Sequence, residues 1–253
     1  MNRVALKTLF IKEIRRFAKV WMQTVLSPLV TTSLYFLVFG VALGSRLKEI
    51  SGVPYIQFVV PGLVMMTMVR DSFLNTSSSL FQSKINGTIT DLLVAPIGAS
   101  EILLSYVGAA MCRAVITGSL VLVVALFFTW FPLHSVGWAI FFTLFVPATF
   151  GLLGIVSALW AEKFDHLAIF PNFVLLPLAF LGGVFYSIDL LPEPWNAISR
   201  LNPLLYMVNG LRFGFLGVAD VSPVASAVVV LISFMVMLSV AGIMLQRGYK
   251  LRT

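Results

Sequence analysis

The sequence has few of the residues that build soluble domains and catalytic sites. Of its 253 residues only 11% are charged, one is a cysteine and two are histidines. A single cysteine excludes an internal disulfide, and the histidines His134 and His166 are too far apart to form a metal cluster with it. The chain has no G-x-x-x-x-G-K-S/T phosphate loop and no G-x-G-x-x-G fingerprint. We therefore expect a chain that is not an enzyme and binds no metal or cofactor of its own.

What the sequence does have is long apolar segments. Hydrophobic residues make up 59% of the chain and the mean hydropathy is +1.00, whereas soluble domains carry about a quarter charged residues. We therefore expect an all-α membrane protein in which each span needs about 20 residues. Pro171 and Pro177 should kink the fifth span. Six spans are predicted, at residues 22–43, 55–80, 102–131, 136–160, 167–186 and 224–246.

The basic residues set the predicted orientation. With six spans, both ends and the segments that carry Lys84 and Lys163 share one side, which holds eleven basic residues. The other side holds four, Arg46, Lys48, Arg200 and Arg212. The positive-inside rule then places both termini in the cytoplasm. The net charge of +7 is explained by this topology, so no nucleic-acid partner is expected.

The first 21 residues predict an amphipathic helix on the cytoplasmic face. Leu6, Phe10, Ile14, Phe17 and Trp21 recur at helical spacing, and four basic residues share the other face. Glu13 is the exception, because the same spacing puts it among the apolar positions. Either a cation or a protein surface receives this carboxylate, or its side chain reaches out to the head-group level of the membrane.

A second amphipathic helix is predicted within residues 82–97, between spans two and three. Ile85, Ile89, Leu92 and Leu93 lie at helical spacing, and Pro96 ends the pattern. Such a helix can lie on lipid or dock into a groove of a soluble partner. Its flanks lack the basic clusters that favour anionic lipid, so we favour the partner.

Three charged residues lie inside predicted spans: Arg70 and Asp71 in the second, and Arg113 in the third. Charges at this depth are costly and raise a functional hypothesis. Asp71 and Arg113 could form a purely structural ion pair, or Asp71 could neutralise Arg113 and leave Arg70 to face a pore, a substrate anion or the outer interface. No series of carboxylates or histidines accompanies them to form a proton relay.

The block between the last two spans, Leu181–Gly217, is too broken by glycine and proline for one spanning helix and too apolar for a solvated loop. Short broken helices at membrane depth survive only where protein or a water-filled cavity satisfies their backbone. Aromatic side chains in this block suit a gate for an amphipathic substrate or, alternatively, anchor the block at head-group level.

Across its whole length the sequence resembles the permease subunits of ABC-2 type ABC transporters, in the group of the nodulation-factor and daunorubicin exporters. Four motifs carry the resemblance, in this order: KTLFIKEIRRF (Lys7–Phe17), FVVPGLVMM (Phe58–Met66), TDLLVAPIGASEIL (Thr90–Leu103) and the Leu181–Gly217 block. The block closes on a pattern formed by Asn202, Pro203, Tyr206, Arg212 and Gly217.

The resemblance implies one transmembrane domain over residues 1–253 of a bacterial inner-membrane exporter. Two copies of the chain would join two copies of a separate cytoplasmic ATPase that holds ATP and magnesium, surrounded by membrane lipid. Spans one, two and five would line the substrate route, and residues 187–217 would form two short re-entrant helices on the outer side. The implied ATPase contacts are Glu13, Lys84, Ile85, Ile89, Asp91, Leu92 and Leu93, and the implied outer gate residues are Phe185, Tyr186, Asn202, Tyr206 and Arg212.

Two other classes of function remain open at this stage. An ion- or proton-driven secondary transporter or channel would work without ATP and would not need the docking helix. A membrane enzyme would need convergent polar residues, and only Arg70, Asp71 and Arg113 are available. The substrate is expected to be amphipathic or lipid-like.

Overall fold

The computed structural model of the protein describes residues 2–43 and 49–250, without the side chains of residues 41–43 and Leu93. Arg46, Lys48 and Arg252, which the predicted orientation counts, lie outside this part of the chain. The described part is mostly helical. Its helices are α1 (Arg3–Lys19), α2 (Trp21–Tyr35), α3 (Tyr55–Ile85), α4 (Ile89–Val94), α5 (Ala99–Leu126), α6 (Val136–Trp160), α7 (Phe164–Ile169), α8 (Leu176–Leu181), α9 (Trp195–Arg200), α10 (Pro203–Leu216) and α11 (Pro223–Gln246).

Shorter elements interrupt or connect these helices, among them a 3₁₀ turn at Ile188–Leu190. A π-helical stretch, Phe36–Leu43, continues α2, and another, Phe170–Leu175, joins α7 to α8. The second one begins beside Pro171, whose missing N–H removes a helical hydrogen bond, so the segment departs from a regular α-helix there. The predicted kink itself stays a prediction. A short hairpin, β1 (Glu49–Ile50) with β2 (Val53–Pro54), precedes α3. The sequence analysis did not predict this hairpin.

The centre of the bundle is the pair α3 and α6. Ser72 Oγ and Thr76 Oγ1 donate hydrogen bonds across the interface to the carbonyl oxygens of Pro147 and Gly151. A Cβ built at Gly154 would overlap Thr76 Oγ1 and lie 2.5 Å from the carbonyl oxygen of Phe73. Small residues and hydroxyl groups therefore let these two helices approach closely, as is usual between helices in a membrane.

The bundle has two ends with different contents. At one end, Tyr55 at the start of α3 donates a hydrogen bond from its hydroxyl to Phe185 O, and His134 N donates to Phe215 O. At the other end, Lys84 near the end of α3 donates to the carbonyl oxygens that end α6. We name these the Tyr55 end and the Lys84 end.

Both ends of the described chain lie at the Lys84 end. Asn2 N donates to Glu101 Oε1 over 2.7 Å, and this carboxylate also accepts from Gly98 N and Ser100 Oγ at the start of α5. Lys250, after α11, donates to Glu162 in the connection between α6 and α7. Six segments therefore run between the two ends: α2, α3, α5, α6, α7 with α8, and α11.

Five of these segments are long and apolar enough to cross a membrane: Trp21–Gly40, Ala99–Leu126, Val136–Trp160, Phe164–Leu181 and Pro223–Gln246. The sixth, α3, has 31 residues but carries Arg70, Asp71 and a run of serine and threonine, and it is not among the five. The number of membrane crossings therefore stays a prediction. The fourth and sixth predicted spans agree with α6 and α11 to within one residue.

The helix of the fifth predicted span, 167–186, begins and ends earlier than expected, at Phe164 and Leu181. It stops because Gly182 and Gly183 turn the chain, with Gly183 at a φ of +68°. After it, the Leu181–Gly217 block contains two α-helices, α9 and α10. Asn202 caps α10 by accepting a hydrogen bond from Leu204 N, and Gly217 ends it in the left-handed conformation at a φ of +74°.

Candidate functional site

A cavity of about 480 Å³ lies between α3, α7 with α8, and α10, and Tyr35 of α2 also lines it. Most of its lining is apolar, including Met65, Val69, Leu175 and Val208. We call it the apolar cavity. Polar side chains reach it at few positions: Arg70, Ser77, Ser78 and Asn172. Spans one, two and five, which the resemblance predicts to line the substrate route, all contribute to this cavity.

Aromatic rings gather near the cavity at the Tyr55 end. Phe39 and Phe185 stack with ring centroids 4.5 Å apart, and Tyr35 and Phe180 lie 5.7 and 5.8 Å from Phe185. Tyr186 donates from its hydroxyl to Phe180 O over 2.7 Å. Two of the predicted gate residues, Phe185 and Tyr186, are thus part of one cluster that connects α2 to the end of α8.

Arg212, which the resemblance implies is an outer gate residue, makes contacts within the chain. Its side chain is fully buried, so it is not an exposed charge of the outer side. Its guanidinium lies 3.7 Å from the ring centre of Phe58 and donates to Phe58 O and, over 2.6 Å, to Gly183 O. A third contact, of 3.5 Å, joins it to Asn209 Oδ1. Arg212 holds α3, α10 and the Gly182–Gly183 turn together.

Asn202 and Tyr206, the other predicted gate residues, also make contacts within the chain. Asn202 Nδ2 donates to Leu178 O over 2.6 Å, which attaches the start of α10 to α8. Tyr206 donates from its hydroxyl to Arg200 O over 2.8 Å, which joins α10 to α9. These contacts give the block a fixed shape around the cavity. A gating role for its residues stays a prediction.

The three charges inside predicted spans lie together near the middle of α3 and α5. Arg113 Nη2 is 3.9 Å from Asp71 Oδ1, and both side chains are only 12% exposed. Arg70 is exposed and, among the described residues, forms no hydrogen bond or ion pair. Arg70 lines the apolar cavity as well as a smaller polar one. The predicted pairing of Asp71 with Arg113 is thus observed.

The predicted docking helix is shorter than expected and turns its apolar face inward. Ile85 is the last residue of α3, Gly87 turns the chain at a φ of +73°, and α4 holds only six residues. Ile89 and Leu92 are buried in the core at the Lys84 end. The side chain of Leu93 lies outside the described part of the chain. Exposed here are Asp91, Ile85 at 52% and Val94 at 87%.

Glu13 and Lys84, both predicted to contact the ATPase, are engaged within the chain. Glu13 is fully buried, and its Oε2 accepts from Arg16 Nε over 3.0 Å and from Ser79 Oγ over 2.7 Å. Of the two interpretations left open for Glu13, the structure supports the one in which a cation and a protein surface receive the carboxylate. Lys84 Nζ donates to the carbonyl oxygens of Leu159 and Ala161 at the end of α6, where a positive charge is favoured.

Burial, with the nearby charge of Lys250, lowers the pKa of the Lys84 ammonium. Because Glu13 and Lys84 are held in this way, their contribution to coupling would be to position α1 and the end of α3. A direct contact with a partner would instead fall on the exposed residues beside them. That contribution stays a prediction.

Sequence reasoning missed two further sets of contacts made by charged side chains. Arg16 Nη2 donates to both the backbone and the side-chain oxygen of Asn75 over 2.8 Å, so α1 docks on α3. Asp220 accepts from Ser187 Oγ and Ile188 N, and its own N–H donates to Asn209 Oδ1. The only signal for the first contact was a carboxylate at an apolar position of α1. We find no signal in the sequence for the second.

Residues 2–43 and 49–250 contain no group of three or more His, Cys, Asp or Glu side chains that could hold a metal ion. The site within this part of the chain is therefore an apolar cavity with a charged edge. An aromatic cluster lies near it at the Tyr55 end, and a small exposed surface lies at the Lys84 end. Such an arrangement can accommodate an amphipathic molecule and can contact a partner.

Comparison with known proteins agrees with this description. A family model described as ABC-2 type transporter matches residues 4–216. The inner membrane transport permease YadH of Escherichia coli (strain K12) is 40% identical over 250 residues, which cover 99% of this chain and 98% of YadH. Nodulation protein J of Sinorhizobium fredii (strain NBRC 101917 / NGR234) is 25% identical over 182 residues, 72% of this chain and 69% of that protein. The chain therefore belongs to the ABC-2 type transporter family and is a membrane permease of that family.

Proposed function

We propose that the chain is the transmembrane subunit of an ATP-driven exporter in the bacterial inner membrane. It moves an amphipathic or lipid-like substrate out of the cytoplasm or the inner leaflet. Two copies of the chain work with two copies of a separate ATPase subunit, which binds ATP and magnesium. The single observation that carries the proposal is the apolar cavity between the segments that correspond to spans one, two and five.

The position of the cavity supports the pairing of two chains. Only 17% of the most apolar stretch is buried in Trp21–Gly40 and Phe164–Leu181, which contribute to its lining, and the same share is buried in Pro223–Gln246, which does not; in Val136–Trp160 it is 61%. Their remaining apolar surface must face lipid or protein. A second copy placed against the two lining segments would cover the cavity and turn it into a closed route between the copies.

The Lys84 end supports contact with the ATPase. The start of α1 lies near the end of α4, because Asn2 Nδ2 donates to Pro96 O. Lys12, Arg15 and Lys19 of α1 are exposed. Both ends of the described chain and most of the basic residues lie at this end, so the positive-inside rule places it in the cytoplasm. Closure of the ATPase pair on ATP would push α4 and, because Glu13 and Arg16 hold α1 on α3, move the bundle as a rigid body.

The first experiment is co-purification in mild detergent with the ATPase encoded nearest to the gene, followed by measurement of ATP hydrolysis. A complex of two permeases and two ATPases that hydrolyses ATP is the expected result. Failure to associate with any ATPase would contradict the proposal and favour the alternative of an ion-driven secondary transporter or channel.

A substitution pair tests the docking surface in the same assay. We expect Val94→Glu, on the exposed face of α4, to abolish association because it places a charge in the contact. The matched control is Leu201→Glu, since Leu201 is 85% exposed but lies in the Leu181–Gly217 block at the Tyr55 end. Equal association of both variants would show that α4 is not the contact.

A further inference from the structure

A second, polar cavity of about 120 Å³ lies between α2, α3 and α5, at half the length of α3. We call it the polar cavity. Its lining includes side chains that can donate or accept hydrogen bonds and both signs of charge: Gln23, Ser27, Thr31, Arg70, Asp71 and Arg113. The proposed transport route does not by itself account for a charged cavity at this depth, where charges are costly and usually functional.

The charges in the polar cavity are not saturated by one another. The distance of 3.9 Å between Arg113 Nη2 and Asp71 Oδ1 exceeds the roughly 2.7–2.9 Å of a charge-assisted hydrogen bond. Asp71 Oδ2 and Arg113 Nε are buried and find no hydrogen-bond partner within the described part of the chain. With Arg70, the site holds two cations and one anion, a surplus of one positive charge.

A purely structural ion pair between Asp71 and Arg113 accounts for two of the three charges. It leaves Arg70 at mid-helix, exposed to the cavities and without a partner among the described residues. A structural role also requires that buried polar atoms be satisfied, and two of them are not. The surplus charge and the free donor both favour an anionic ligand.

The polar cavity adjoins the apolar cavity. Tyr35, Met66, Arg70 and Leu74 line both of them, so a single molecule could extend from one to the other. A site with a positive polar compartment at one side and a larger apolar compartment at the other matches an amphiphile with a charged head. Arg70 lies at the boundary, where the head of such a molecule meets its tail.

We propose that the two cavities together bind one anionic amphiphile: Arg70 and Arg113 hold its phosphate or carboxylate head group, and its alkyl tail lies in the apolar cavity. This inference rests on the proposed function, because it names the substrate class of the same route. It assigns to Arg70 the selection of head-group charge. Asp71 orients Arg113 through their ion pair.

The test uses photolabelling of the full chain in nanodiscs of zwitterionic lipid, both alone and with its ATPase. The probes are hexadecyl phosphate and hexadecylphosphocholine, each with a diazirine in the alkyl chain, and labelled peptides are mapped. We expect the phosphate probe to label the Phe164–Leu181 segment at least about tenfold more than the phosphocholine probe. A factor of ten corresponds to about 1.4 kcal/mol in binding free energy.

Variants test the binding of the head group and the binding of the alkyl tail separately. Arg70→Gln should lose the preference for the phosphate probe, whereas Arg70→Lys should retain it because the positive charge remains. Arg247→Gln, which removes a positive charge after α11, is the matched control and should behave as the wild type. Ala168→Trp, at an exposed position of the apolar cavity wall, should reduce labelling by both probes.

Three results would overturn the inference. The first is equal labelling by the two probes in the wild type, and the second is an unchanged preference in Arg70→Gln. The third is displacement of the phosphate probe by millimolar inorganic phosphate together with normal labelling of Ala168→Trp, which would indicate a site for small anions only. Labelling needs no ATPase. Charge-selective labelling of a chain that does not associate with an ATPase would therefore contradict the exporter proposal and leave the ligand proposal standing.

Discussion

Two arginine sites in the same bundle use their charge in opposite ways. Arg212, at the Tyr55 end, is fully buried, donates to the carbonyl oxygens of Phe58 and Gly183 and lies over an aromatic ring. Arg113, at mid-length, reaches Asp71 only at 3.9 Å and keeps an unpartnered Nε, and its neighbour Arg70 has no partner within the described residues.

The difference teaches how to separate structural from ligand-binding charges. A buried cation whose donors are used within the chain is part of the structure, and its removal leaves acceptors unpaired. A cation that keeps free donors beside a cavity retains capacity for a ligand. The two sites should therefore respond differently to substitution, and the predictions below rank that response.

The largest effect is expected for Arg212→Ala. It removes the hydrogen bonds to Phe58 O and Gly183 O and leaves a void in the core, so we expect a loss of about 3 kcal/mol or more in the free energy of unfolding. Arg212→Lys should not restore it, because an ammonium lacks the planar fork. Thermal unfolding in detergent measures both variants against Arg200→Ala, a change at an exposed arginine. An unchanged melting temperature for Arg212→Ala would show that Arg212 is not a structural charge, contrary to the comparison.

Glu13 is intermediate between a charge whose hydrogen bonds are all made within the chain and a charge that keeps a free atom. One of its oxygens accepts hydrogen bonds from Arg16 and Ser79, whereas the other, among the described residues, has only Lys12 at 3.8 Å. Glu13→Ala should cost about 1.5–3 kcal/mol, the range for hydrogen bonds to a charged group. Hydrogen exchange of α1 measures whether the helix leaves α3. The control is Lys12→Ala, whose exposed side chain should contribute little, and equal protection of α1 in both variants would contradict the prediction.

The helices were more predictable from the sequence than their surroundings. The long apolar runs of the sequence located five helical segments that could span a membrane. Pro171 marked the place where the fifth predicted span departs from a regular α-helix. Periodicity also showed which positions of α4 are apolar, but not which surface covers them. Ile89 and Leu92 pack against the chain's own core, so a charge at Leu92 would test folding before it tested association.

The candidate site shows the same limit. The sequence located Arg70, Asp71 and Arg113, because charges stand out in apolar runs, and pairing Asp71 with Arg113 needed only two neighbouring helices. It could not show that Arg212 is buried with its donors occupied, since these properties depend on carbonyl groups of distant segments such as Gly183. Hydrogen bonds to backbone carbonyls leave no trace in residue identity.

A small effect on stability is expected for Arg70→Gln. No ion pair or hydrogen bond within the described residues is lost, so the free energy of unfolding should change by no more than about 0.5 kcal/mol. Thermal unfolding in detergent checks this beside Arg212→Ala. A destabilisation by Arg70→Gln as large as that by Arg212→Ala would break the comparison, because both arginines would then be structural.

The smallest effect is expected for the exposed pair Glu162 and Lys250, which sets the lower end of the ranking. The hydrogen bond from Lys250 lowers the pKa of the Glu162 carboxyl, and the same bond raises the pKa of the Lys250 ammonium. The pair therefore stabilises the fold above the unfolded pKa of glutamate, about 4.3, and below that of lysine, about 10.4. Stability is lost as pH falls through the lowered pKa of Glu162 or rises through the raised pKa of Lys250. Melting temperatures of wild type and Lys250→Ala should thus differ slightly near neutral pH and converge towards both extremes, and a difference independent of pH would show that the pair does not contribute through its charges.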